Sequence, residues 1–271
     1  MHLGRRGFLA GALGAGFALA ARPILAQAIH TSMDGLDGGD VRLGDIPAYY
    51  AVPRHGGRRP VVLVVAEIFG LHEHIRDLCR RLAKAGYFAV ANEPYFRIGE
   101  LWKLSDIKQV IAGANQLTDV QAFADLDTVV AWADGHARAE AARLGITGFC
   151  RGGRTVWMYV AHSARPKAGV AWYGPLRATP PAMPQTPMDV ATGLHAPVLG
   201  LYGAEDQGIP LELVEKMRVA LRAAGKDREC ELHVYEGAGH AFNADYRPSY
   251  RKDAAEDGWR RMLAWFARNG V

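Results

Sequence analysis

From Pro60 onward the chain alternates short, continuous apolar runs with stretches of helical periodicity, and this alternation limits the possible folds more than any other feature. Val61 to Ala66 is an apolar run of strand length, and Ile75, Leu78, Cys79, Leu82 and Ala83 form one stripe of a helix that ends at Gly86. Tyr87 to Ala91 reads as the next short strand. Thr118-Asp119-Val120-Gln121 has the form of a capping box and opens a helix carrying Val120, Phe123, Asp127 and Val130 at helical spacing. Strand Ile146 to Phe149, a helix from about Gly152 to Ser163 and strand Gly169 to Tyr173 follow. Strand Pro197 to Tyr202, helix Leu211 to Ala224, strand Glu231 to Tyr235 and a closing helix from about Ser249 to Ala267 complete the series. Strands that are apolar throughout belong to a parallel sheet covered on both faces. The expected fold class is therefore α/β, a mostly parallel central sheet with helices on either side. Ahead of it, "IHTSMDGLDGGDVRL" and "IPAYYAVP" read as short strands separated by Asp-Gly and Gly-Gly turns.

Two connections are longer than loops in compact domains usually are, Asn92 to Leu117 and the proline-rich Gly174 to Ala196. They are expected to lie over the carboxyl edge of the sheet.

The N-terminus reads as a separate unit. Arg5-Arg6-Gly7-Phe8-Leu9 precedes an uncharged run from Ala10 to Ala21, and Ala26-Gln27-Ala28 has the small residues of a cleavage site. This is the layout of a twin-arginine export signal, and the run is too short and too rich in glycine to span a bilayer comfortably. The expected division is a signal at 1–28 and one α/β domain at 29–271, because 271 residues with 49% hydrophobic content can bury a single large core. The expected location is periplasmic or secreted, reached through the twin-arginine translocation machinery. Loss of the signal removes Arg5, Arg6 and Arg22 and no acid, so the formal net charge falls from +4 to +1. A nearly neutral mature chain has no electrostatic footprint for nucleic acid. A monomer is expected.

The three cysteines, Cys79, Cys150 and Cys230, are widely spaced and odd in number, which suggests neither a zinc site nor a disulfide framework. Cys79 lies on a helical apolar stripe, and Cys230 alternates with Leu232 and Val234 along a strand. Cys150 belongs to neither kind of pattern.

Ligands of an open parallel sheet bind outside the carboxyl ends of its strands, so residues just after strands are the ones that can meet. Four candidates stand there: Glu67, Cys150, Asp206 and His240. Gly148-Phe149-Cys150-Arg151-Gly152-Gly153 matches the elbow in which small residues leave a nucleophile exposed at a strand-to-helix turn. The order Cys150, Asp206, His240 is the chain order of α/β-hydrolase triads. Taken singly, each residue has an ordinary reading: a buried small hydrophobe, a cap for the helix after Pro210, a loop histidine, an acid at a strand end. Taken together they point to catalysis. His240 would take and return the thiol proton, Asp206 would fix its tautomer, and Cys150 as thiolate would attack a carbonyl. The helix after Cys150 would point its positive end at the sulfur, and the backbone N–H groups of Arg151 and Ile68 would hold the oxyanion.

"EIFGLHEHIRDLCRRLAKAGYFAVANEPYF", "GFCRGG", "LYGAEDQGIP" and "YEGAGHAFN" resemble the dienelactone hydrolase (carboxymethylenebutenolidase-like) family, from about Ile46 to the end of the chain. The resemblance implies an α/β-hydrolase fold, a Cys-His-Asp triad at Cys150, His240 and Asp206, and a glutamate at Glu67 that pairs with the resting thiol and gates it. It implies cleavage of a lactone or carboxylic ester through a cysteine acyl-enzyme, with no cofactor. Family members bind a substrate carboxylate with arginines, one of them a few residues after the catalytic histidine. Here that segment reads Ala241-Phe242-Asn243-Ala244-Asp245, with no arginine until Arg247, and Arg151, Arg97 and Arg76 are the candidate substitutes. His72 and His74 form a single H-x-H that reads as a polar helix start, not as a metal site. The alternatives are a broad-specificity carboxylesterase and a non-catalytic binding protein on the same fold.

Overall fold

The computed structural model describes residues 29–271; the signal sequence read from residues 1–28 lies outside them. The elements in chain order are β1 (Leu36–Leu43), β2 (Ile46–Pro53), β3 (Arg59–Val65), α1 (Glu73–Lys84), β4 (Phe88–Asn92), α2 (Ile107–Ala114), α3 (Asp119–Gly135), β5 (Ala139–Phe149), α4 (Arg151–His162), β6 (Pro166–Trp172), β7 (Val198–Gly203), α5 (Leu211–Ala223), β8 (Glu231–Tyr235) and α6 (Lys252–Arg268). The strands form one sheet in the order β1-β2-β4-β3-β5-β6-β7-β8.

β1 and β2 are a hairpin that pairs antiparallel to itself and to β4, with Gly44 taking φ 62° in the turn between Leu43 and Ile46. From β4 to β8 every pairing is parallel. β4 and β7 are buried at every position, as expected of strands covered on both sides. α1 packs on β2 and β4, α3 and α4 on β5, and α6 on β6 and β7. The fold is the α/β-hydrolase arrangement, and its parallel strands deliver Glu67, Cys150, Tyr173, Asp206 and His240 to one edge.

The capping box at Thr118 is formed as the sequence suggests: the Thr118 hydroxyl accepts from the Gln121 N–H at 3.2 Å, and the Gln121 side chain accepts from the Thr118 N–H at 3.1 Å. The face of α3 differs from the expected one. Val120 is 77% exposed and Asp127 lies outside, while Asp125, Leu126, Val129, Val130 and Ala133 are buried. The helix has apolar residues on several sides, and Asp125 turns inward because Arg97 pairs with both its oxygens at 2.8 Å. β5 begins seven residues earlier than its apolar run, because the mixed segment from Ala139 pairs with Arg59 and Pro60.

The long connection after β4 contains α2, whose N-terminus is capped by the Asp106 side chain accepting from the Lys108 N–H at 2.9 Å. Together with Phe69, this segment makes a separate small core of Phe69, Tyr95, Leu101, Val110, Ala114 and Leu117, distinct from the core of the sheet. No helix of the described residues is long and apolar enough to cross a membrane.

Candidate active site

The glycine-flanked turn at Cys150 is built by close approach. A Cβ on Gly148 would lie 2.3 Å from the Gly152 carbonyl oxygen, and one on Gly152 would lie 2.2 Å from the Val65 oxygen. Only glycine permits this contact between the start of α4 and the end of β3. Cys150 between them takes φ 53° and ψ −118°, a left-handed strain of about 1–3 kcal/mol for a residue with a side chain. Its N–H donates to the Trp172 carbonyl at 3.0 Å and its carbonyl accepts from the Arg154 N–H at 3.1 Å, so both backbone groups are committed. The amide of Arg151 is the first of α4 and has no partner within its own helix.

Among the described residues, the non-glycine positions with positive φ are Cys150, Tyr173 at 38° and Ala241 at 61°. All three stand at this edge of the sheet. Such strain persists where surrounding structure enforces it, and it gathers at functional sites.

Asp206 is buried and uses both carboxylate oxygens. Oδ1 accepts from the N–H groups of Gly208 at 2.8 Å and Ile209 at 3.1 Å; Oδ2 accepts from Nδ1 of His240 at 2.7 Å. The first two bonds make a turn that fixes the carboxylate, and the helix after Pro210 receives no side-chain cap from it. With Nδ1 bonded to Asp206, the imidazole of His240 is also under the electrostatic influence of the Cys150 sulfur. Burial would lower the His240 pKa, but the sulfur's negative charge and the hydrogen bonds to Asp206 and Cys150 outweigh it and raise the value to about 10.

The other two thiols are of a different kind. Burial holds Cys79 far above the ordinary thiol range and pushes Cys230 up to about 11. Neither is a nucleophile near neutral pH.

Glu67 lies at the end of β3, 2% exposed, and its carboxylate is engaged by His72 Nε2 at 3.0 Å, by the Tyr246 hydroxyl and by Arg247 at 3.6 Å. Burial works against its charge, yet Arg247 and the hydrogen bonds of His72 and Tyr246 hold it well below the usual carboxylate range. The resemblance implies a carboxylate turned to the resting thiol; in this structure Glu67 rests on these three donors, and the Cys150 sulfur acts electrostatically on His240.

His72 is the N-cap residue of α1 but makes no capping bond, since its ring is turned inward to Glu67. His74 is also buried, with Nδ1 3.3 Å from Asp245. The H-x-H does stand at a helix start, but with both rings buried inside the protein; among the described residues no group of three His, Cys, Asp or Glu is arranged to hold a metal.

The candidate substrate arginines have structural partners. Arg76 bonds Asp40 at 2.8 Å and the Leu71 carbonyl, and Arg97 forks onto Asp125 while stacking over Phe96. Arg151 is buried; its stem lines a small recess with Ala66, Tyr95, Leu117 and Thr155, and its end donates to the Leu117 carbonyl at 2.5 Å and to Asn115 at 3.4 Å. The cation that does stand at the site is Arg247, buried between the rings of Phe69 and Tyr246 and acting electrostatically on both Glu67 and Cys150. Sequence reasoning met Arg247 only as the next arginine after His240 and set it aside, and it passed over Tyr246, because "ADYRPSY" carries no motif and only the fold returns it to β3.

The profile of the dienelactone hydrolase family matches residues 46–270. The chain belongs to the dienelactone hydrolase family. A protein of Methylorubrum extorquens named "Putative carboxymethylenebutenolidase" is 53% identical over 276 residues, covering 99% of this chain and 94% of that protein. One of Escherichia coli K12 with the same name is 51% identical, covering 94% and 96%. A crystal structure named "Putative Dienelactone Hydrolase", from Klebsiella pneumoniae, is 51% identical and superposes with a TM-score of 0.83 over 86% of this chain and 99% of that one. This dienelactone hydrolase family member is accordingly a hydrolase of lactone or carboxylic ester bonds.

Proposed function

We propose that the chain opens a lactone or carboxylic ester through a thioester on Cys150, by the chemistry of a Cys-His-Asp triad. The observation that carries this reading is the Asp206 to His240 bond at 2.7 Å together with a cysteine held at φ 53° between β5 and α4, whose sulfur acts electrostatically on that imidazole. His240 accepts the thiol proton, and Asp206 stabilises the imidazolium that results. The thiolate adds to the carbonyl carbon, and the amides of Arg151 and Ile68 stabilise the oxyanion. The tetrahedral adduct collapses with loss of the alkoxide or enolate oxygen, which takes the proton back from His240. Water, deprotonated by the same imidazole, then releases the acid and restores the thiol.

Arg247, the buried cation closest in sequence to the catalytic histidine, provides positive potential near the sulfur and favours a substrate that carries a carboxylate. Names of relatives point the same way: a Bradyrhizobium protein 32% identical over 86% of this chain is called "Probable 2-oxo-3-(5-oxofuran-2-ylidene)propanoate lactonase". Export through residues 1–28 is part of the proposal and is tested by locating the mature protein after replacing Arg5 and Arg6 with lysine.

The decisive experiment is turnover of an activated aryl ester and of carboxylated lactones by wild type and Cys150→Ala, with mass spectrometry of the quenched protein. Loss of turnover in the variant and an acyl adduct on Cys150 in the wild type are expected. Undiminished turnover by Cys150→Ala overturns the thiol mechanism.

A further inference from the structure

Tyr173 has no task in the mechanism above, yet the fold goes to unusual lengths to place it. It directly follows β6, is fully buried, and takes φ 38°, a conformation that a bulky aromatic residue rarely adopts. The turn that holds it is stitched to the nucleophile elbow. The Tyr173 N–H donates to the Leu201 carbonyl at 2.7 Å, the preceding Trp172 carbonyl accepts from the Cys150 N–H at 3.0 Å, and a Cβ on the following Gly174 would lie 2.5 Å from the Gly153 carbonyl carbon. Whatever aims Cys150 therefore also aims Tyr173.

Its ring meets the His240 imidazole edge to face, with centroids 5.2 Å apart, and the Phe242 ring at the same distance. The charged groups that act on its phenol are those of the site: Glu67, Arg247 and Cys150. The hydroxyl oxygen is buried and has no hydrogen-bond partner among the described residues. Buried hydroxyls are nearly always satisfied, and one that is not needs an explanation. Burial above all, and then the Glu67 carboxylate, hold the phenol well above its ordinary pKa, so it remains a donor.

Resting on the hydrolase reading, we propose that Tyr173 is a catalytic residue whose hydroxyl donates a hydrogen bond to the substrate oxygen that gains negative charge as the acyl group moves to Cys150. No proton is transferred in this step; the phenol is a donor kept unsatisfied until substrate arrives. A donor placed where charge develops acts on the chemical step more than on binding.

The test is Tyr173→Phe, which keeps the ring and its packing and removes one oxygen. The expected result is a fall in kcat of about 10²-fold with little change in KM, an unchanged rate of Cys150 alkylation by iodoacetamide, and an unchanged or raised Tm. Wild-type kcat on every ester and lactone tried overturns the proposal. An equal fall in turnover and alkylation also overturns it, since the hydroxyl would then act through the sulfur and not on substrate. The two readings fail separately: turnover surviving in Cys150→Ala removes the thiol mechanism, whereas full kcat in Tyr173→Phe beside an inactive Cys150→Ala removes only this one.

Discussion

Glu67 and His72 face each other inside the protein, carboxylate oxygen to Nε2 at 3.0 Å, with both side chains buried. A carboxylate can only accept, so His72 donates from Nε2 and its Nδ1 carries the lone pair. Burial keeps the imidazole below its ordinary pKa and therefore neutral, while Arg247 supplies the formal countercharge.

Replacing Glu67 with glutamine leaves the Arg247 charge buried without its partner, at a cost of about 3–5 kcal/mol. The sign of the pH dependence follows from the depressed carboxyl. Its stabilisation is complete above the ordinary value of 4.5 and is lost as pH falls below it. Thermal unfolding between pH 3 and 7 should show a steep acid decline in Tm for the wild type and a shallower one for Glu67→Gln. Alkylation of Cys150 should also change its rate and pH profile in that variant; identical profiles would remove any influence of Glu67 on the thiol.

His240 titrates in the opposite sense. Its pKa is raised from 6.5 to about 10, so the stabilisation it provides is complete below 6.5 and disappears as pH rises towards 10. The sulfur's charge is the largest of the raising influences. Cys150→Ala should therefore lose less Tm between pH 7 and 10 than the wild type, a difference of a few degrees at most. Parallel curves would show that sulfur and imidazole are not coupled.

Gly152→Ala should abolish soluble, active protein. The added methyl would sit 2.2 Å from the Val65 carbonyl oxygen, a backbone atom with no room to rotate away, and relief requires shifting either α4 or β3. The cost is at least the ~1–3 kcal/mol of an overpacked core. Soluble yield and circular dichroism measure it directly, with Gly193→Ala as a control, since its nearest contact would be 3.9 Å away.

Much of this was readable from the chain. Apolar runs of strand length marked β3 and β7, alternation marked β8, and the elbow glycines marked Cys150, because those signals are local: a run, a cap, a turn. What was hidden depends on partners remote in sequence. α3 has apolar residues on several sides, so its buried face is chosen by Arg97 and by the sheet, not by its own period. Tyr246 and Arg247 reach Glu67 across about 180 residues, as the 179-residue separation of Tyr246 and Glu67 shows. α2 was hidden for a different reason: its Asp106 cap is a local signal, but eight residues inside a long connection are easily taken for loop.

Arg151→Met should loosen the segment between β4 and α3 while sparing the elbow. The guanidinium donates to the Leu117 carbonyl, and losing that bond leaves a buried acceptor unsatisfied at about 1–3 kcal/mol. Limited proteolysis should cut between Asn92 and Leu117 sooner than in the wild type, and KM should rise more than kcat falls. Unchanged proteolysis would mean that Arg151 does not hold this segment.

The small core formed by Phe69, Tyr95, Leu101, Val110, Ala114 and Leu117 gives the enzyme a replaceable part. These side chains rest on one another and stand apart from the packing of the sheet. A change among them is felt by Arg151 and Arg247, which touch Leu117 and Phe69, while Cys150 and the strands before it belong to the larger core of the sheet. Divergence of substrate preference, in nature or in a library, has there a place to accumulate mutations without first having to rebuild the catalytic scaffold.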